Sequence, residues 1–241
     1  MPPDGKPRTL GNCPATTPQT DMTQIDIERA RFNMIEQQVR PWDVLDQRVL
    51  DVMSTTPRED FVPEKYRSLA FADINIPLGH DQVMMAPKTE GRLLQVLDVR
   101  QTDSVLEIGT GSGYLTACLS RLGNHVTSIE IFPEFRDAAA TKLAAHGYRN
   151  ITLREGDAAA GIGSDTRYDV IAVTGSLPLL QRQFHDNLAI GGRLFVIVGV
   201  PPVMEALLIM RIDERNWSRQ SLFETSLPPL LHAAQPARFV L

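Results

Sequence analysis

Three glycines at alternate positions, Gly109, Gly111 and Gly113, follow an apolar run, Val105–Ile108, that carries a single acid, Glu107. Glycine lets a backbone turn sharply and approach a ligand with no Cβ in the way. A strand that passes through such a loop into a helix is how open α/β sheets hold nucleotide-like ligands. Tyr114–Arg121 has the composition of that helix. Two further acids stand at corresponding places. Glu130 closes a second apolar run about 20 residues on, where a carboxylate can accept hydrogen bonds from both ribose hydroxyls. Asp157 follows Gly156 at the end of a third run. Each feature also has a plainer reading: the glycines as a tight turn, Glu130 as a solvated strand end, Asp157 as a turn residue or helix cap. Their shared order favours a nucleoside-type ligand.

Two ligand classes compete for the glycine loop. Dinucleotide folds use G-x-G-x-x-G/A, and the sixth position counted from Gly109 is Tyr114, too bulky for the close helix–strand packing required there. The run reads instead as G-x-G-x-G with an acid two residues ahead of the first glycine. That arrangement resembles motif I of class I S-adenosylmethionine-dependent methyltransferases. The resemblance implies S-adenosylmethionine as cofactor and S-adenosylhomocysteine as product. It assigns Glu107, Gly109, Gly111 and Gly113 to the methionine end, Glu130 to the ribose and Asp157 to the adenine amino group. Thr110, Ile131, Ala158 and Thr174 complete the expected cofactor-binding set.

The elements that must position these residues are legible in outline. Residues 1–21 hold five prolines among small and polar side chains, read as a disordered tail with Met22 as a candidate start of the ordered protein. Helices are expected over 27–39 and 46–53. A third is expected to start with Thr56 as N-cap, Pro57 at N1 and Glu59 in the capping-box position. Residues 72–88 read as an extended loop and 88–97 as a helix. Strands follow at 104–108, 126–130, 151–154, 168–174 and 193–198. The intervening helices are expected over 114–121, 133–145 and 178–188, with a turn at Gly191-Gly192. The segments 206–212 and 217–224 read as a hairpin. The pattern predicts a Rossmann-like α/β fold: a mostly parallel twisted sheet, helices on both faces, an antiparallel C-terminal hairpin and an N-terminal helical cap. The expected division is a cap with substrate loop over 22–98 and a cofactor-binding domain over 99–241.

Composition narrows the function. The 241 residues carry a net charge of −5 with no Lys/Arg-rich cluster, which argues against a sequence-independent grip on nucleic acid. The fourth strand ends in Val173-Thr174-Gly175-Ser176, not in the Asn/Asp-Pro-Pro-aromatic motif of nucleic-acid methyltransferases. The two cysteines, Cys13 and Cys118, offer neither a disulfide framework nor metal-ligand spacing, so no metal is expected and a reducing cytoplasm fits. No apolar run reaches membrane-spanning length, and the N-terminus lacks the apolar core of a secretory leader. Oligomeric state is left open.

Several stretches, in order, sharpen the resemblance to one family, the protein-L-isoaspartate O-methyltransferases. Val105–Tyr114 looks like that family's motif I. Pro57-Arg58-Glu59-Asp60-Phe61-Val62-Pro63 resembles its Pro-Arg-Glu-x-Phe-Val-Pro segment, and Asp73–Gln82 its Pro-Leu-Pro-Ile-Gly loop. Tyr168–Thr174 and Gly191-Gly192-Arg193-Leu194 resemble its Phe-Asp-x-Ile-x-Val-Thr strand and Gly-Gly-Arg-Leu turn. The family resemblance implies protein repair: methylation of an isoaspartyl carboxylate on a protein or peptide. The chain departs from the family where its loop reads Gln-Thr-Ile-Ser with active-site hydroxyls. Here the stretch is Gln82-Val83-Met84-Met85, and Asp81 stands in place of Gly beside His80. His80, Asp81, Gln82 and Met85 are therefore the substrate-loop candidates. An ionised carboxylate acceptor needs no strong base, only orientation and exclusion of water. An amine or hydroxyl acceptor would be helped by one, with His80 and Asp81 the local groups. The alternatives are a methyltransferase with another substrate and a non-catalytic cofactor-binding protein.

Overall fold

The computed structural model describes residues 24–159, 162 and 166–237; the expected tail, with Cys13 and Met22, lies outside them. Helix α1, Gln24–Met34, continues through a π-helical turn, Ile35–Val39, and a 3-10 turn, Arg40–Trp42, that stops at Asp43 with φ 57°. Helix α2, Gln47–Thr55, starts where Asp46 accepts a hydrogen bond from the Arg48 amide. Its end corrects the expected cap. The Thr56 amide still donates to Val52 O at 2.9 Å, so Thr56 closes α2. Pro57 then caps the single turn α3, Arg58–Phe61. Glu59, freed from a capping-box role, accepts from Arg31 at 2.5 Å.

Residues expected as an extended loop form a hairpin instead. Strands β1, Ile76–Gly79, and β2, Gln82–Met84, pair antiparallel across a two-residue turn, His80-Asp81, with φ 49° and 55°. Positive φ at both central positions matches the right-handed twist of the flanking strands. Pro77 and Gly79 read as breakers, and strands this short carry no usable alternation. Helix α4, Pro87–Leu97, follows.

The remaining chain builds the sheet: β3 Ser104–Ile108, α5 Tyr114–Leu122, β4 His125–Glu130, α6 Pro133–Ala145, β5 Ile151–Glu155, β6 Tyr168–Leu177, α7 Arg182–Asp186, β7 Leu188–Val200, β8 Val203–Arg211 and β9 Trp217–Glu224. The strand order is β5-β4-β3-β6-β7-β8-β9. The first five are mutually parallel, and β8 and β9 are antiparallel, as expected of the C-terminal hairpin. The helix expected over 178–188 is only the turn-and-a-half of α7. The expected Gly191-Gly192 turn lies within β7, in a bulge where the register jumps from Tyr168↔Leu188 to Val170↔Arg193.

The strands alternate strictly between two cores. Val105, Val170, Ala172, Phe195, Ile197, Ala206 and Leu208 face one cluster, which takes in α2, α4 and α5 and the hairpin residues Ile76 and Met84. Leu106, Ile171, Val173, Leu194, Val196, Leu207 and Ile209 face the other, closed by Phe184 of α7. Strand order reverses between β3 and β6. That switch opens a crevice at their carboxyl ends, where open α/β sheets bind ligands.

Candidate functional site

The crevice is built by close approach. A Cβ at Gly109, whose φ is 95°, would lie 2.3 Å from Thr174 Oγ1, and one at Gly111, φ 51°, would lie 3.1 Å from Leu78 of the hairpin. Only glycine admits Thr174 from β6 on one side and the hairpin on the other. Thr174 Oγ1 stands 2.9 Å from Ile108 O and 2.7 Å from Gly109 O, fixing the loop to β6.

Glu130 ends β4 with 4 % of its surface exposed. Its two carboxylate oxygens each accept a backbone amide, from Gly111 at 2.8 Å and from Phe132 at 3.0 Å. Each oxygen keeps a lone pair, so the carboxylate is held rigid and still able to accept. Asp157, after β5, accepts from the Ala159 amide at 3.0 Å through Oδ1, and its Oδ2 lies 2.7 Å from Nδ1 of His232.

These residues line a cleft of about 580 Å³. Of the expected cofactor set, Gly109, Gly111, Glu130, Ile131, Asp157, Ala158 and Thr174 meet in its wall, with Gln82 and Val83 from the hairpin. A smaller cavity of about 300 Å³ adjoins it and shares Leu78, Val83, Gly109, Gly111 and Thr174. Thr110 and Met85 belong to this second cavity, together with Ser112, Leu115 and Glu90. Gly113 lines neither cavity; it caps α5 against Ala139.

Glu107 also lines neither. It is sealed under the loop, where Oε2 accepts from Ser128 at 2.6 Å and Thr116 at 2.5 Å, and Thr110 reaches Ser128 at 2.6 Å. Its Oε1 has no hydrogen-bond partner among the described residues, and burial pushes its pKa up to about 8. The acid of the motif thus ties β3, β4 and α5 together beneath the glycines.

His80 and Asp81 occupy the hairpin tip, and neither lines the cleft or the adjoining cavity. His80 stacks on Phe132 at 4.2 Å, meets Phe135 edge-on at 5.6 Å, and places Nε2 2.6 Å from Glu134 Oε1. The tip is therefore latched to the start of α6. The Glu134 carboxyl is held below its ordinary range, by its own backbone amide first and His80 second. Asp81 is exposed.

Several lining residues gave no sequence signal. Leu230 and Leu231 come from a segment after β9 that crosses β6: Ser176 N donates to Pro228 O at 2.9 Å, Leu230 N to Ser176 O at 2.9 Å, and Ser176 Oγ to Leu227 O at 2.8 Å. Phe132 and Phe135 flank a helix start and read only as apolar positions. Glu90 read as one charged residue in an amphipathic helix. It is 2 % exposed, and its Oε2 accepts from Arg58. Arg58 is fully buried, donates also to Ala70 O at 2.8 Å and Met85 O at 2.7 Å, and lies 4.7 Å from the Tyr114 ring centroid. Burial pushes the Glu90 carboxyl up to about 7 against the pull of Arg58.

Among the described residues no group of three or more His, Cys, Asp or Glu is placed to hold a metal ion, and no helix is long and apolar enough to cross a membrane. Cys118 is buried, which pushes its thiol up to about 12.

Comparison with known proteins bears on this geometry. The sequence model of the protein-L-isoaspartate(D-aspartate) O-methyltransferase (PCMT) family matches residues 29–229. A protein-L-isoaspartate O-methyltransferase of Rhodopseudomonas palustris is 36% identical over 201 residues, spanning 83% of this chain and 92% of that protein. One of Aeropyrum pernix is 34% identical over 206 residues, 84% of this chain and 79% of that protein. Among solved structures, a Plasmodium falciparum chain described as a beta-aspartate methyltransferase (PCMT) in complex with S-adenosyl-L-homocysteine superposes with TM-score 0.73. It has 16% identity and covers 85% of this chain and 97% of its own. At that identity the likeness is one of fold.

Proposed function

From the premise that this chain belongs to the protein-L-isoaspartate(D-aspartate) O-methyltransferase family, we propose that it methylates isoaspartyl residues of proteins at the mouth of the cleft. The chain is an S-adenosylmethionine-dependent protein carboxyl O-methyltransferase. The residues present fit that cofactor. A carboxylate fixed by two amides suits a pair of ribose hydroxyls, and the cradle a Cβ would fill at Gly109 suits close backbone approach. The cofactor supplies the electrophilic methyl group.

In this reading Glu130 holds the ribose, with Ile131 beside it. Asp157, oriented by the Ala159 amide, accepts from the adenine amino group beside Ala158, with Leu230 and Leu231 as an apolar wall. Gly109, Gly111, Thr110 and Thr174 carry the loop backbone along the amino-acid tail. Gln82 and Val83 bring the hairpin to the acceptor side and exclude water, and residues 24–98 serve as the cap that places the hairpin. The single observation that carries the reading is the Glu130 carboxylate, pinned in the wall of the main cleft, which adjoins the Met85 cavity across the shared Val83. Apolar Val83 and Met85 at the family's hydroxyl positions favour a second reading, in which the same transfer serves a different protein carboxylate. A net charge of −5 supports a protein rather than a nucleic-acid acceptor. The buried free thiol of Cys118 supports a cytoplasmic setting.

The test is transfer of labelled methyl from S-adenosylmethionine to an isoaspartyl peptide beside its aspartyl twin. Selective labelling of the isoaspartyl peptide is expected. Labelling of neither, by protein that binds S-adenosylhomocysteine, would move the acceptor to another carboxylate.

A further inference from the structure

The main cleft accounts for a nucleoside, but the adjoining cavity, which the amino-acid tail would enter along the glycine loop, has in that account no charged partner for the tail. It opens off the shared glycine loop, at Gly109, Gly111 and Thr174, and Asp157 is not among its lining residues. Its walls are mostly apolar: Leu78, Val83, Met84, Met85 and Leu115. One acid stands among them, Glu90, nine-tenths and more buried. Glu107, the acid that the sequence motif offers for the methionine end, lines neither space, and its Oε2 is taken by Ser128 and Thr116.

We infer that Glu90 of α4, held by Arg58, receives the α-ammonium group of the cofactor's amino-acid tail in the adjoining cavity. The inference rests on the cofactor reading above. Its chemistry is charge complementarity. A buried carboxylate with one oxygen given to a guanidinium still has a second oxygen to offer a cation in the same low-dielectric space. The groups facing Glu90 are Arg58 from α3, Glu107 from β3, and Tyr114 and Cys118 from α5; Lys88, on its own helix, is turned away to Asp73 at 2.7 Å. Among these only Arg58 is cationic, and it is shared among Glu90, Ala70 O and Met85 O, so Glu90 has one divided counter-ion. Burial raises both Glu90 and Glu107, and a bound ammonium would draw a proton out of the pair.

The test is calorimetric titration of the full-length protein and its Glu90→Gln variant with two ligands. One is S-adenosylhomocysteine, the other 5′-methylthioadenosine, which keeps the thioether nucleoside and lacks the amino-acid tail. The expected result is a loss of about tenfold or more in the variant's affinity for S-adenosylhomocysteine, with 5′-methylthioadenosine bound as by the parent. Unchanged affinity for S-adenosylhomocysteine would overturn the inference, and so would an equal loss for both ligands, which would make Glu90 a support for the fold alone. If the variant does not fold, the parent protein decides. Its preference for S-adenosylhomocysteine over the analogue lacking only the α-amino group should grow as pH rises from 5.5 to 8, with protons released on binding. A preference independent of pH would overturn the inference, because backbone carbonyls do not titrate. Failure of the parent to bind S-adenosylhomocysteine at all would remove the cofactor reading itself, a result distinct from any of these.

Discussion

Glu130 and Glu107 show at residue scale how an acid in a cleft wall differs from one sealed beneath it. Both oxygens of Glu130 take backbone amides, yet each retains a lone pair in the wall of the cleft. On the proposed cofactor reading, Glu130→Ala removes the acceptor for two ribose hydroxyls, and it frees the Gly111 and Phe132 amides. Hydrogen bonds to a charged group contribute about 1.5–3 kcal/mol each, so loss of two is expected to lower affinity for S-adenosylhomocysteine by about 100-fold or more in a titration, with the fold intact by circular dichroism. Unchanged affinity would refute the ribose assignment. The spacing of Glu130 and Asp157 after strands was legible in the sequence, because strand ends are where α/β sheets present side chains to ligands. The direction in which Glu107 points was not. Position in a strand gives alternation, but a neighbouring face holding Ser128 and Thr116 decides that the carboxyl turns inward. Glu90 was invisible for the same reason: a helix pattern marks a polar residue as exposed by default, and only the buried Arg58 reverses that.

At the scale of elements, the parallel strands β3, β4 and β5 and helix α6 were legible to within a residue or two, since their apolar runs are long and bounded by turn residues. The hairpin β1–β2 was not, and it is the element that differs most in function from its sequence appearance. Its tip is fixed by side chains, the His80 ring on Phe132 and its nitrogen near Glu134. Its turn asks for positive φ at two residues that bear a Cβ. Replacing His80-Asp81 by Asn-Gly relieves the backbone strain but removes the latch. The two effects separate in measurement. Thermal stability is expected to hold or rise by up to about 1 kcal/mol from better turn residues. Dissociation of S-adenosylhomocysteine in stopped flow is expected to quicken several-fold because the tip no longer rests on α6. A slower or unchanged off-rate would show that the stacking does not restrain the hairpin.

Over the whole molecule, the two-sided core was legible as alternating strands. The uneven cover of its faces was not: the second face has α7 and a crossing segment where the sequence suggested a longer helix. Global stability carries a signature of the sealed acid. Glu107 is raised to about 8 in the folded protein from an ordinary value near 4.5, so between these pH values the folded state binds the additional proton. That contribution is full below the unfolded value and is lost as pH rises toward and through 8. The midpoint of thermal unfolding should therefore decline from pH 5 to pH 8.5 more steeply in the parent protein than in Glu107→Gln. Parallel profiles would show that Glu107 keeps an unshifted acidity in the fold. Arg58 joins the scales. One guanidinium holds the carbonyls of Ala70 and Met85 and the Glu90 carboxylate. Any lineage, natural or selected in the laboratory, that explores new acceptors by altering the backbone at Met85 perturbs the same guanidinium that steadies Glu90. Divergence in specificity through that position is thus yoked to cofactor affinity. Gln82 and Val83 border the cleft without a bond to Arg58, which leaves them as the positions where acceptor preference can drift at little cost to the rest.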